Sequence, residues 1–144
     1  MDPPPPESPV DVMIGSRYLP GGGVEGWSWR RRWMSRAVNR YGRWWLGLRA
    51  SDISGAFRCY RSSVLRRLDL DAVRARGFGF EEEILWWLQR LGARCGETPI
   101  VFVDRQRGHS KVNLREVWSA CWSIFVLGLR GRFSRSLVSC DQAT

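Results

Sequence analysis

The chain has 144 residues, enough for one domain or part of a larger one, and its 44% hydrophobic content excludes a disordered protein. A net charge of +9, with 23 basic side chains against 14 acidic ones, points to an anionic partner: nucleic acid, lipid headgroups or a phosphorylated small molecule. The four cysteines (Cys59, Cys95, Cys121, Cys140) lack metal-ligand or redox spacing, and a single histidine cannot complete a zinc site, so they read as reduced thiols of a cytosol-facing protein.

Residues 1–9, MDPPPPESP, predict an unstructured tail. Their acidic, proline-rich order is not the basic-then-apolar order of a signal peptide. VDVMIGSRY predicts a short buried strand ending at Gly15, and PGGGVEG a flexible loop. From Trp29 to Leu48 the pattern is helical: Trp33, Met34, Ala37, Val38, Tyr41, Trp44, Trp45 and Leu48 form an apolar face, and Arg32, Arg36, Arg40 and Arg43 a separate stripe. No acidic residue falls between Trp27 and Arg49.

SGAFRCYR predicts a second strand, followed by a short helix through SSVLRRL. GFGFEEEILWWLQRLG is a helix with three glutamates in its first turn, where the helix dipole favours them, and Gly92 at its end. ETPIVFVDR predicts one further strand. Asn113 with Glu116 resembles a capping box opening the last helix, LREVWSACWSIFVLGLR. Strands alternating with helices predict an α/β fold.

The last helix is apolar nearly all round from Val117 to Leu129. That stretch spans about 20 Å, short of the ~30 Å hydrocarbon core. It is therefore either a core helix or one lying in a membrane interface, with Trp118 and Trp122 at headgroup depth and Arg130, Arg132 and Arg135 beyond.

Several residues carry candidate chemistry. Arg17 follows a strand, at the sheet edge where α/β proteins bind ligands; it either clamps a phosphate or caps the strand. Arg31 and Ser35 lie one helical turn apart and could grip one phosphate together. The arginine–tryptophan stripe around them suits a lipid interface, and equally RNA. Asp52, in SDISGAFR, either accepts sugar hydroxyls or initiates a turn, with Gly55 allowing close backbone approach. Glu83 reads by default as an exposed first-turn glutamate. Asp69 and Asp71, in DLD, read as helix-end and turn acids rather than metal ligands. Lys111, the only lysine, could meet a phosphate beside Ser110 and Gly108.

Taken together and in order, DVMIGSRYLPGGGVEGW, RRRWMSRAVNRYGRWWLGL, SDISGAFRCYRSSVL, GFGFEEEIL and VFVDRQRGHSKV resemble the carboxyl-terminal half of dolichol-phosphate mannosyltransferases, polyprenol-phosphate sugar synthases among the family-2 inverting glycosyltransferases. The resemblance covers residues 10 to about 125. It implies part of a GT-A-type, Rossmann-like domain over residues 10–129, ending in an interface helix, with a basic and polar tail over 130–144. It further implies transfer of mannose from GDP-mannose to a polyprenyl or dolichyl phosphate, peripheral membrane association on the cytoplasmic face, and no nucleic-acid partner.

By the same resemblance Arg17, Arg31 and Ser35 hold the acceptor phosphate, Asp52 and Glu83 line the sugar side, and Arg105 and Lys111 meet the donor diphosphate. Lys111 then reads as a flexible point charge retained where an arginine fork would change the geometry. His109 has no assigned role. The family uses Mg²⁺ or Mn²⁺, but its acidic metal-binding motif has no counterpart here, so a fragment of such an enzyme is expected. The alternative is a noncatalytic basic module that binds membrane or nucleic acid.

Overall fold

The computed structural model of the protein describes residues 10–75, 79–104 and 114–133. Its centre is strand β1 (Val12–Ser16), whose alternating Val12 and Ile14 are fully buried. β1 pairs antiparallel with β3 (Arg58–Tyr60) and parallel with β4 (Cys95–Pro99), with Met13 opposite Cys59 on one side and Gly96 on the other. A second, two-stranded parallel sheet joins β2 (Gly23–Glu25) to β5 (Val101–Val103). The α/β expectation holds, and the loop expected at PGGGVEG contributes a strand.

The single strand expected over ETPIVFVDR is divided between the two sheets. Pro99 has no N–H to extend the ladder. At Ile100 the N–H donates to the Ser16 carbonyl at 3.0 Å, while its own carbonyl accepts from Gly23 at 3.0 Å. One residue thus passes the chain from the first sheet to the second, and this sets the end of β1 beside the start of β2.

Helix α1 (Trp29–Leu46) starts at Ser28, whose hydroxyl accepts from the Arg31 N–H. It stops short of the expected Leu48 because Gly47 takes the left-handed conformation (φ 67°) that closes a helix. Helix α2 (Ser62–Leu65) is a single turn, followed by a 3₁₀ turn over Leu70–Ala72. Asp69 accepts the Asp71 N–H there, as the turn-acid reading of DLD requires. Helices α3 (Gly79–Arg90) and α4 (Leu114–Phe133) complete the layer, with α4 running past Arg130 and packing on both α1 and α3.

Glycines set how closely these helices approach. A Cβ on Gly42 would collide with the Ile53 side chain, and one on Gly128 with the Trp45 indole. Trp45 instead lies flat on Phe125, with ring centroids 5.4 Å apart, and donates its indole N–H to the Phe125 carbonyl. Ile124 and Leu127 of α4 join Leu46, Ile53, Leu85 and Leu88 in the core.

The apolar face expected on α1 is only partly a core face. Leu46, Gly42 and Asn39 are buried, but Trp29, Trp33 and Trp44 are exposed and share the outer face with exposed Arg32, Arg36, Arg40 and Arg43. The two stripes read from the sequence are therefore one mixed surface. Helix α4 has a core side and an outer side: Ala120, Ile124 and Leu127 are buried, whereas Leu114, Trp118 and Trp122, at successive i+4 positions, stand in solvent. No helix among the described residues is long and apolar enough to cross a membrane.

Candidate phosphate-binding cleft

The site is built around a loop, residues 51–55, held from two sides. Buried Asn39 of α1 donates to the Ser51 carbonyl and accepts the Ile53 N–H at 2.9 Å. Glu97 of β4 accepts the Ser51 N–H at 2.8 Å, the Ser51 hydroxyl at 2.6 Å and the Asp52 N–H at 3.2 Å. The loop so clamped turns the Asp52 carboxylate toward the end of β1. A Cβ on Gly55 would come within 3.3 Å of that carboxylate, the close approach expected of this glycine.

Asp52 is fully buried and consumed by Arg17. The Arg17 Nε donates to Oδ2 at 2.7 Å, Nη2 to Oδ1 at 2.8 Å, and the Arg17 backbone N–H to Oδ2 at 3.1 Å. Burial is the largest single influence on Asp52 and acts to raise its pKa. The hydrogen bonds and charge of Arg17, with a backbone hydrogen bond from Gly55, outweigh it and hold the carboxyl below its ordinary value. For Arg17, burial likewise acts against the charged form, and Asp52 more than restores it. Asp52 therefore aims a permanently charged fork, the paired form of both readings of Arg17.

Arg31 and Ser35 do share a face of α1, and with Arg17 they line one cleft of about 290 Å³. Arg31 Nη1 donates to Asp104 at 2.6 Å, from just beyond β5. The guanidinium carbons of Arg31 and Arg17 lie 4.1 and 5.4 Å from the Trp27 ring centroid, so one indole braces both cations. Ser35 Oγ and the Tyr18 hydroxyl share a 2.6 Å hydrogen bond. The remaining walls are mostly apolar, with Met34, Val38, Ile100, Phe102, Val117 and Ala120. Two guanidiniums, each held by an aspartate beside an apolar wall, suit a phosphate that carries a hydrocarbon chain.

Glu83 departs from its default reading. It is buried, not exposed: its Oε2 accepts the Arg74 and Ala75 N–H groups at 3.0 and 2.6 Å, and Oε1 lies 4.0 Å from Arg130. It borders a second cleft, between α3 and α4, and not the one lined by Arg17, Arg31 and Ser35. Its neighbour Glu82 borders both. Glu82 went unmarked in the sequence, although Leu85 and Trp86 at i+3 and i+4 put it on the core stripe of α3. Asp104 and Trp27 were missed as well: Asp104 meets Arg31 from a distant strand end, and Trp27 acts only by bracing Arg17 and Arg31.

Arg105 and Lys111 lie outside the described residues. Among the described residues no group of three or more histidine, cysteine, aspartate or glutamate side chains could hold a metal ion.

No protein-family model matches the chain. It is 39% identical over 127 residues, 88% of its length, to a polyprenol monophosphomannose synthase of Mycolicibacterium smegmatis, and covers 48% of that protein. It is 40% identical over 124 residues to an undecaprenyl-phosphate mannosyltransferase of Micrococcus luteus, with 86% of this chain and 51% of that one aligned. The chain spans about half the length of these curated relatives. With the α/β layering and the motif order, this identity makes the chain a homologue of these two mannosyl-transferring proteins over about half of their length.

Proposed function

We propose that the chain carries the acceptor side of mannosyl transfer from GDP-mannose to a polyprenyl phosphate. The observation behind this reading is the convergence of Arg17, Arg31 and Ser35 on one cleft whose other walls are mostly apolar. Arg31 and Ser35 would meet the phosphate, Arg17 would complete the clamp, and the apolar wall would take the first isoprene units. Asp52 is a positioning residue that orients Arg17 and does not itself meet the sugar. Arg105 and Lys111 remain the donor-diphosphate residues of this reading. Because the acceptor phosphate is already anionic, the chain's contribution is alignment and charge compensation rather than proton abstraction. No step here is routed through a metal.

Arg40 supplies the internal control, since it is exposed on the outer face of α1 and outside the cleft. Titrating a short-chain isoprenyl phosphate into wild type, Arg31→Ala and Arg40→Ala at physiological salt should find a loss confined to Arg31→Ala. A charge-assisted contact is worth about 1.5–3 kcal/mol, roughly tenfold to over a hundredfold in affinity, whereas one screened surface charge is worth far less. Equal losses would reduce the site to an electrostatic surface and favour the noncatalytic basic module.

The same reading has the chain sit peripherally on the cytoplasmic face of a membrane. Its contacts would be the arginines and tryptophans of α1's outer face, together with Trp118 and Trp122. At about 1 kcal/mol per well-placed basic residue, binding to anionic vesicles should be strong in low salt and lost in high salt. Cosedimentation across a salt series measures this. Binding that ignores both salt and anionic lipid content would contradict it.

A further inference from the structure

We propose that Glu82 is a specificity-determining residue of the acceptor cleft, donating the O–H of a neutral carboxyl to a phosphate monoester oxygen, so that the cleft holds a phosphorylated isoprenoid only while that proton is in place. This rests on the acceptor reading above. It adds a residue and a protonation requirement that the motifs do not contain.

The geometry comes first. Glu82 is 1% exposed, borders the cleft with Arg17, Arg31 and Ser35, and its Oε2 has no hydrogen-bond partner. A buried carboxylate oxygen without a donor is costly, whereas a protonated one carries a hydrogen to give away. Arg58 is the nearest source of positive charge, but its Nε, Nη1 and Nη2 are committed to the carbonyls of Gly55, Glu81 and Ile53. It tempers the burial of Glu82 and supplies no hydrogen bond to it.

The charge balance of the cleft points the same way. Arg17 is matched by Asp52 and Arg31 by Asp104. Both cations are thus already paired, and a neutral Glu82 adds a donor to the cleft without adding a negative charge. The other charges around Glu82 are Glu81 and Glu83 on its own helix and, at the second cleft, Arg74 and Arg130. Glu83 Oε2 is held by the Arg74 and Ala75 N–H groups, and its Oε1 lies 4.0 Å from Arg130 without a hydrogen bond. Burial is the largest influence and pushes Glu82 up to about 8; a hydrogen bond from its own backbone N–H and the charge of Arg58 lower it, and Glu81 and Asp52 raise it. An incoming phosphate would raise it further.

Calorimetric titration of a short-chain isoprenyl monophosphate from about pH 7 to about pH 9.5 tests the proposal. A phosphate monoester completes its second ionisation, near pKa 6, below this range, so the ligand itself is constant. Wild type should bind at pH 7 and lose about tenfold in affinity per pH unit above about 8. E82Q, whose amide still donates but does not titrate, should bind with little change across the range. E82A should bind more weakly than E82Q at every pH. Parallel wild-type and E82Q profiles, with binding still lost in Arg31→Ala, would overturn the role of Glu82 and leave the acceptor reading standing. Failure of wild type to bind at any pH would remove both. Infrared difference spectra of the free protein give a ligand-independent check: a protonated-carboxyl C=O band at pH 7 that is missing in E82Q. Its absence from wild type would also overturn the proposal.

Discussion

Asp52→Asn should destabilise the protein by about 3–5 kcal/mol, the usual cost of breaking a buried ion pair and leaving one charge uncompensated. The substitution keeps the shape of the side chain. It removes the charge that Arg17 requires and turns an amide donor toward a guanidinium that has only donors. Urea unfolding of D52N, of Arg17→Met and of the double mutant measures the effect. The double mutant should lose much less than the sum of the single losses, since an apolar replacement of both partners leaves no orphaned charge. Additive losses would mean the two residues act separately. Acid should act through the same pair. The Asp52 carboxyl is held below its ordinary value in the folded state. Its contribution is therefore complete at neutral pH and disappears as pH falls through the folded pKa, where the native carboxylate must finally take a proton.

Glu82→Gln should stabilise the protein, and increasingly so toward alkaline pH. Burial raises Glu82 from the ordinary 4.5 to about 8 in the folded state. Between those values the native chain binds more protons than the unfolded one, so stability falls as pH rises, by up to about 1.4 kcal/mol per unit. Across the window the total is several kcal/mol, comparable to the net stability of many domains. Glutamine fills nearly the same space without titrating. The difference in unfolding free energy between E82Q and wild type should therefore widen from about pH 5 to about pH 8 and level off above it. A constant difference over that range would mean that Glu82 ionises near its ordinary value. Taken alone, these two groups make stability fall as pH drops below about 3.8, through Asp52, and as it rises above about 4.5, through Glu82.

The elements were largely legible because their signals are local. Helix α1 follows from a 3.6-residue pattern, and β1 from a short apolar run ending in Gly-Ser. Burial was less so. Periodicity put Trp33 and Trp44 on one apolar face with Leu48, yet both face solvent while Leu48 is buried, because the close Gly42 contact with Ile53 turns the helix's narrow side inward. A large aromatic on a periodic face announces an apolar surface without saying whether protein or another phase covers it. For Glu82 and Glu83 the error ran the other way. The helix dipole explained a run of first-turn glutamates well enough that burial was not sought.

The chain by itself determined which residues could act on a phosphate. Arg31 and Ser35 share a face through helical spacing alone, Arg17 stands at a strand end, and the order of motifs marked the kinship that the identities to known synthases bear out. Only the tertiary structure decided which charges are already spent. Arg17 meets Asp52 across 35 positions and Arg31 meets Asp104 across 73, and no local rule predicts either partner. The physical reason is range: propensity and periodicity act within a few residues, whereas the state of a charge depends on every group that folding brings within a few ångströms and on the water it removes. For that reason a string of three glutamates became one half-buried acid, one clamped carboxylate and one buried group bordering the cleft with an oxygen that has no partner.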